Sequence, residues 1–333
     1  MIFKLIFEYL HKSKKNLLII TCSAITLYFV ISWVGIPDCD ALLNTESVWL
    51  LISLFAVALS TLMITLRWQI FLGFWGLFPS RLKIFSFLSW LSFAALLLPK
   101  ELVEFFGRTW WLKKRYSFDY FSCASSILTD RFMDVIVLGM MFFPAICFMV
   151  FDFSLLAALL CLGVCVIVGG VILLFSGPKT LTLLYICLHW LSLRLIRLRN
   201  KQVPDQEQAA VTFVSRTKLL SAYLITVVKF LLIDVCYWSF SQSLDLKINF
   251  WVFFLIVPVI QLFFLFSFTA GGAGFIEAGW YVVLTSLNIS ETDIATYLVA
   301  QRIFFTILLG IIACFVSALS LILGIIIANR STE

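Results

Sequence analysis

The feature that most constrains this chain is a ladder of long apolar runs, near residues 16–35, 48–66, 83–98, 132–152, 154–175, 218–240, 250–268 and 301–326. A helix needs about 20 mostly apolar residues to cross the roughly 30 Å hydrocarbon core of a bilayer. That core offers the backbone no water, so open strands and loops facing lipid are excluded and such runs fold as helices. Only 13% of the chain is charged, against roughly 25% in soluble domains, and 62% is apolar. The longest polar stretch, about 176–216, is itself studded with leucine and leaves no room for a soluble catalytic domain. The expected fold is all-α, a polytopic helical membrane protein forming one integral membrane domain over 1–333.

Charge location matters more here than the formal net charge of +6, because Lys and Arg in short loops set orientation; nucleic acid is not implied as a partner. Most of the nine cysteines, such as Cys22, Cys147 and Cys236, sit in apolar runs without C-x-x-C spacing, and read as small buried hydrophobes. His11 and His189 have no carboxylate or cysteine at ligand spacing. No metal, cofactor or catalytic residue is therefore expected.

Lys4, Lys12, Lys14 and Lys15 precede the first run, which is long and lacks a small-residue cleavage site, so it reads as a retained span. Those lysines and the 176–218 segment, with Arg194, Arg197, Arg199, Lys201, Arg216 and Lys218, belong on the cytoplasmic side. Asp38, Asp40 and Glu46 suit the outer side, and Arg67, Arg81 and Lys83 return the chain inside. If 83–98 crossed fully, both Arg108–Arg115 and the basic 176–218 segment would fall outside. A re-entrant element over 83–130, matched by another over 250–299 from the outer side, places every basic loop inside. The count becomes six full spans and two re-entrant hairpins, with both termini cytoplasmic. Within the cytoplasmic segment, leucines and Trp190 alternate with Arg194, Arg197 and Arg199. This stretch either lies in the headgroup plane or continues the preceding span into solvent.

The two re-entrant regions share a pattern, giving a first repeat at about 83–152 and a second at about 250–326. In the first, Pro99 is followed by Glu104, then Asp130-Arg131 with Asp134, then Leu138-Gly139. In the second, Gly271-Gly272-Ala273-Gly274 is followed by Glu277, then Gln301-Arg302, then Leu309-Gly310. Glutamate to arginine spans 27 residues in one and 25 in the other, and arginine to glycine spans 8 in both. Each half reads as a backbone break, a glutamate, a short helix and an arginine heading a span. Opposed halves with broken helices are the plan of many transporters, whose substrate sits at the repeat interface.

An ionisable side chain in hydrocarbon costs at least about 2.5 kcal/mol, so it needs a partner or water and marks a pathway by default. Glu104 and Arg108 are an i,i+4 pair; Arg131 and Asp134 are i,i+3 at a span entrance; Glu277 and Arg302 flank a short apolar stretch. Lys229 follows Lys218 by eleven residues, which places it roughly 16 Å deep, close to the bilayer centre. Asp234, five residues further on, lies about 140° around the helix and is a poor partner. Lys229 should meet a carboxylate of another helix, with the repeat glutamates as candidates. The glycines at 271, 272 and 274 suit either an anion at a half-helix N-terminus or close helix packing.

These residues resemble the transmembrane region of lysylphosphatidylglycerol synthases, whose stand-alone members are described as flippase-like integral membrane proteins. The resemblance rests on G-G-x-G-x-x-E at Gly271, Gly272, Gly274 and Glu277, on Arg302 within A-x-R, and on Pro99, Glu104, Arg108, Asp130-Arg131 and Asp134 in order. Ala270 stands where that family usually has a proline, which implies a less rigid cap. The resemblance implies movement of a lipid between leaflets of the cytoplasmic (inner) membrane of a prokaryote, typically an aminoacylated phosphatidylglycerol or a polyprenyl-phosphate-linked sugar, without the aminoacyl-transfer domain of fused relatives. It implies a phosphate-headgroup lipid as partner, with a lipid-synthesising enzyme or glycosyltransferase as a further one. Arg131, Arg302, Lys229 and the Gly271–Gly274 backbone would hold phosphate, with Glu104 and Glu277 balancing them. The competing expectation is a membrane-embedded lipid-modifying enzyme using Glu277 or Asp134 as general base, or an accessory subunit of envelope glycolipid synthesis.

Overall fold

The computed structural model describes residues 45–151, 153–198, 215–265, 269 and 271–330. Among them every regular element is a helix: α1 (Ser47–Phe74), α2 (Arg81–Leu97), α3 (Lys100–Tyr116), α4 (Tyr120–Val150), α5 (Leu155–Leu198), α6 (Arg216–Ser243), α7 (Phe250–Leu265), α8 (Phe275–Ser286) and α9 (Glu291–Arg330). Among the described residues, five segments are long and apolar enough to cross a membrane: 47–74, 122–150, 155–177, 216–243 and 291–322. The chain is an all-helical integral membrane protein. The expected first span at 16–35 and the polar stretch 199–214 lie outside the described residues.

The burial pattern is that of a membrane bundle, with apolar side chains outward and polar ones inward. On α1, Phe55 and Leu59 are exposed, whereas Ser53, Ser60, Thr61, Thr65 and Arg67 are buried. Small and hydroxylated residues let two backbones approach and hydrogen-bond where hydrophobicity gives no drive between helices. Ser53 accordingly donates to the carbonyl of Cys236 on α6 at 2.8 Å and shares a hydrogen bond with Ser239 at 2.7 Å.

Two pairs of helices are shorter than the five candidate spans. Helices α2 and α3 have 17 residues each, and α7 and α8 have 16 and 12, about 26 Å or less at 1.5 Å per residue. Leu98-Pro99 separates the first pair; proline ends α2 because the residue before it is driven out of the helical region. In the second pair the break includes a turn over 271–274, with Gly271, Gly272 and Gly274 all at positive φ. Each pair closes through a glycine: a Cβ on Gly107 would stand 2.6 Å from Leu91, and one on Gly279 would stand 3.3 Å from Ile260.

The pairs then pack reciprocally. Helix α2 of the first lies along α9, the span that follows the second; Trp90 donates to Ser317 at 2.6 Å, and Phe93 lies against Gly310. Helix α7 of the second lies along α4, the span that follows the first. Helices α1 and α6, which precede the two pairs, run against each other at the centre. Two apolar cores flank this arrangement. One gathers Phe240, Phe253, Trp280 and Tyr297 around α7 and α8, and the other gathers Trp68, Leu72, Ile84 and Leu112 around α2 and α3.

Two expectations on element placement need correction. Helix α1 continues to Phe74, so Arg67, expected in a cytoplasmic loop, is inside the helix and only 1% exposed. Helix α4 begins at Tyr120, capped by Asp119 accepting from the amide of Ser122 at 2.8 Å, so Arg131 is well inside a helix and not at its head. Helix α5 runs unbroken from 155 to 198, which is the continuation alternative for the leucine-arginine stretch.

Candidate functional site

Helix α4 supplies the centre of the site. Its D-R-x-x-D sequence puts Asp130, Arg131 and Asp134 within one turn, so their side chains converge on neighbouring helices. Asp130, fully buried, accepts from Arg67 Nε at 2.7 Å and from Arg108 Nη1 at 2.8 Å. Asp134 accepts from Arg67 Nη1 at 2.5 Å and Nη2 at 3.2 Å, and from Lys229 Nζ at 2.5 Å. Arg108 also donates to Glu104 at 3.0 Å, Glu104 pairs with Arg131, and Arg131 lies 3.7 Å from Asp134. The circuit Asp134, Arg67, Asp130, Arg108, Glu104, Arg131 therefore closes on itself, with Lys229 attached at Asp134. Thr226 accepts a further bond from Arg67 at 3.1 Å, and the Arg108 guanidinium lies 4.9 Å from the Trp68 ring centroid. Bidentate arginines suit such a network because the planar fork satisfies two carboxylates in fixed geometry.

The second half holds a smaller cluster. Glu277 accepts from the amide of Gly274 at 2.7 Å and pairs with Arg302 Nε, and Arg302 Nη1 donates to the carbonyl of Gly271 at 2.7 Å. The amide of Gly271 donates in turn to Leu98 at 3.2 Å. The two backbone breaks thus meet directly. A Cβ on Gly271 would stand 2.3 Å from the carbonyl oxygen of Leu96, so this approach requires glycine.

Both clusters face one cavity of ≈ 200 Å³ between the helix pairs. Of the expected site residues, Glu104, Arg131, Asp134, Lys229, Gly271 and Arg302 line it. Arg108 is set behind, in the circuit; Glu277 is set behind Arg302, which it holds; Gly274 supports Glu277; Gly272 packs against Ile276 and Phe264. Lys229 does meet a carboxylate of another helix, but it is Asp134 and not a repeat glutamate. Depth along a helix was readable in the sequence, whereas the facing residue depends on azimuth. Of the basic cluster Arg108–Arg115, Lys113, Lys114 and Arg115 are exposed, whereas Arg108 is 2% exposed and belongs to the circuit.

Arg67 and Asp130 are the residues that sequence reading left out of the site. A signal existed for Arg67: the apolar run resumes after it, through Ile70, Phe71 and Leu72, which marks a charge inside a span and not one beyond it. Among the described residues no group of three or more His, Cys, Asp or Glu is placed to hold a metal ion.

A family model described as the lysylphosphatidylglycerol synthase TM region matches residues 16–314. No curated protein and no solved structure matches the chain.

Proposed function

The chain belongs to the lysylphosphatidylglycerol synthase transmembrane-region family, and on that premise we propose that it moves a phosphate-bearing membrane lipid between leaflets, with the headgroup in the charged cavity and the acyl tails in the bilayer. The observation that carries this reading is the cavity shared by the two helix pairs, lined by Arg67, Arg131, Lys229 and Arg302 in a chain of apolar spans. Cations are not kept in such a place for stability, since well-packed apolar residues of similar volume usually serve as well or better. The meeting of the two breaks, and the reciprocal packing of α2 on α9 and α7 on α4, support the two quartets α1–α4 and α6–α9 as opposed repeats around a midplane site.

The enzyme alternative is less well supported. Glu277 and Asp134, its candidate general bases, are each engaged by cations, which leaves neither carboxylate poised to take a proton. The cytoplasmic membrane of a prokaryote as location, cytoplasmic termini, and a lipid-synthesising or glycosyltransferase partner belong to the same proposal. Purified protein in liposomes carrying fluorescent phospholipid should accelerate exposure of inner-leaflet label to an impermeant quencher. No acceleration with any of several headgroups would contradict the function.

The re-entrant topology has its own test. Lys114 and Asp245 are both exposed; Lys114→Cys should react with an impermeant thiol reagent only from the cytoplasmic side, and Asp245→Cys only from the outer side. Labelling of Lys114→Cys from outside would remove the first re-entrant pair.

A further inference from the structure

Asp234 stands apart from the other buried carboxylates. It is 1% exposed on α6, nine residues before that helix ends at Ser243, or about 14 Å along its axis. Glu104, Asp130, Asp134 and Glu277 each hold a cation. Asp234 takes part in none of the ion pairs among the described residues, and its Oδ2 has no hydrogen-bond partner there.

Its neighbours on α6 show what it faces. Tyr223 and Phe230 share its side of the helix to within about 40°. Tyr223 Oη lies 3.6 Å from Met140 Sδ on α4, and Phe230 packs in one core with Met133 of α4 and Leu255 of α7. Trp238, one turn further on, lies against Phe250 of α7 with ring centroids 5.1 Å apart. Asp234 is thus bracketed by α4 and α7.

Helix α7 carries no titratable residue. Helix α4 offers Cys147 and the circuit members Asp130, Arg131 and Asp134; α1 offers Arg67, held by those aspartates. The apolar part of α5, beside Tyr223, offers Cys161 and Cys165. Helix α9, which meets α6 at Phe240, offers Tyr297 and Arg302, the latter held by Glu277. On α6 itself Lys229 is held by Asp134, and Cys236 and Tyr237 turn to the cavity. Every cation in this set is paired with another carboxylate.

A buried carboxylate without a counter-charge is far costlier than the neutral acid, and such groups neutralise instead. Leucine would fill the place without an unsatisfied oxygen, so packing gives no reason for an acid here. Proton exchange does, since relays across membranes are built on intramembrane acids. Both bracketing helices also contain a proline, Pro144 in α4 and Pro258 in α7. Each removes one helical hydrogen bond and lets its helix bend.

Taking the cavity as the lipid path proposed above, we propose that Asp234 is a proton-binding site that couples lipid passage to a proton gradient across the membrane. The acid form, its O–H bond intact, belongs to the conformation described. On release the proton passes to water on one side, and the carboxylate remains until a proton from the other side restores the acid. The link to the lipid is α6 itself: Lys229, Ile233, Cys236 and Tyr237 of the same helix line the cavity, so a shift of α6 that wets Asp234 also reshapes the path.

Two measurements separate the proton site from the transport reading. Infrared difference spectra of purified full-length wild type against Asp234→Asn at neutral pH should show the carbonyl band of a protonated carboxyl in the wild type alone. Unfolding temperatures should be alike, because the amide mimics the neutral acid. Absence of that band overturns the inference. The second uses liposomes with a trace of fluorescent phosphatidylglycerol, the membrane potential clamped and a pH difference of about one unit. Compared with protein-free liposomes, the wild type should drive the label to an uneven distribution between leaflets, up to about tenfold at one proton per lipid. Asp234→Asn should not, and Asp234→Glu, which restores an acid, should recover the asymmetry. Wild-type exchange that ends no more uneven than protein-free liposomes, or equal asymmetry with Asp234→Asn, overturns the inference. Absence of any exchange contradicts the transport reading and the coupling with it, and the infrared band alone then upholds or overturns the proton site.

Discussion

The two halves of the molecule place the same glutamate and arginine in corresponding positions yet surround them differently. Arg131 lies eleven residues into α4, and Arg302 eleven residues into α9. Around Arg131 stand Asp130, Asp134 and Arg108; the equivalent places around Arg302, counted from the shared glutamate and arginine, hold Gln301, Phe305 and Tyr281. The first half thus forms a closed circuit of three arginines and three carboxylates. The second has one pair, tied to a glycine turn. Arg67 and Asp130 in the circuit are 1% and 0% exposed, whereas the Arg302 side chain is 26% exposed. A closed, largely buried network resists rearrangement, because breaking a member strands a buried charge. A single pair on a turn can exchange partners at lower cost. On these grounds the first half is expected to act as a fixed electrostatic wall and the second as the adaptable part.

The sharpest way to break this distinction is to remove a carboxylate from the wall. Asp130→Leu leaves Arg67 and Arg108 facing each other in the interior and should destabilise the protein by about 3–5 kcal/mol, read as loss of monodisperse protein and a lower unfolding temperature in detergent. If Asp130→Leu behaves like wild type, the circuit is not a structural wall.

Next in size is the contact between the two breaks. Gly271→Ala places a Cβ against Leu96 at positive φ and should cost about 1–3 kcal/mol. The expected readout is faster proteolysis within 269–274, with the circuit around Asp130 retained. Protection equal to wild type would mean that the two breaks do not need their close approach.

This uneven construction explains what the sequence did and did not reveal. Glu277 and Arg302 could be named because the motif repeats and few other partners lie nearby. The helical character of the described spans was equally plain, since lipid leaves helices as the form available to long apolar runs. Arg67 was read as a loop marker because it follows the run 48–66, although the apolar residues that resume at Ile70, Phe71 and Leu72 signal that the helix continues past it. Asp130 was read as part of a motif without a role because its two partners come from α1 and α3, elements separated from it by 63 and 22 residues. Pairing at that range is set by packing, which sequence spacing does not encode.

The smallest stability effect belongs to Lys229, the joint between the wall and the rest of the cavity. Asp134 keeps Arg67 through two hydrogen bonds when the lysine is removed, so Lys229→Leu should change stability by about 1 kcal/mol or less, in either direction. A marked fall in unfolding temperature would place Lys229 inside the structural circuit and blur the distinction drawn between the halves.

The central claim is that the cavity between the halves is the path of the lipid headgroup. It is tested most directly by leaflet exchange in liposomes reconstituted with equal amounts of folded wild-type protein, Lys229→Leu and Glu277→Gln. The account predicts rapid exchange by the wild type and near-background rates for both variants, with their unfolding temperatures close to that of the wild type. Wild-type exchange by both variants would contradict it, and would show that lipid passes elsewhere on the molecule.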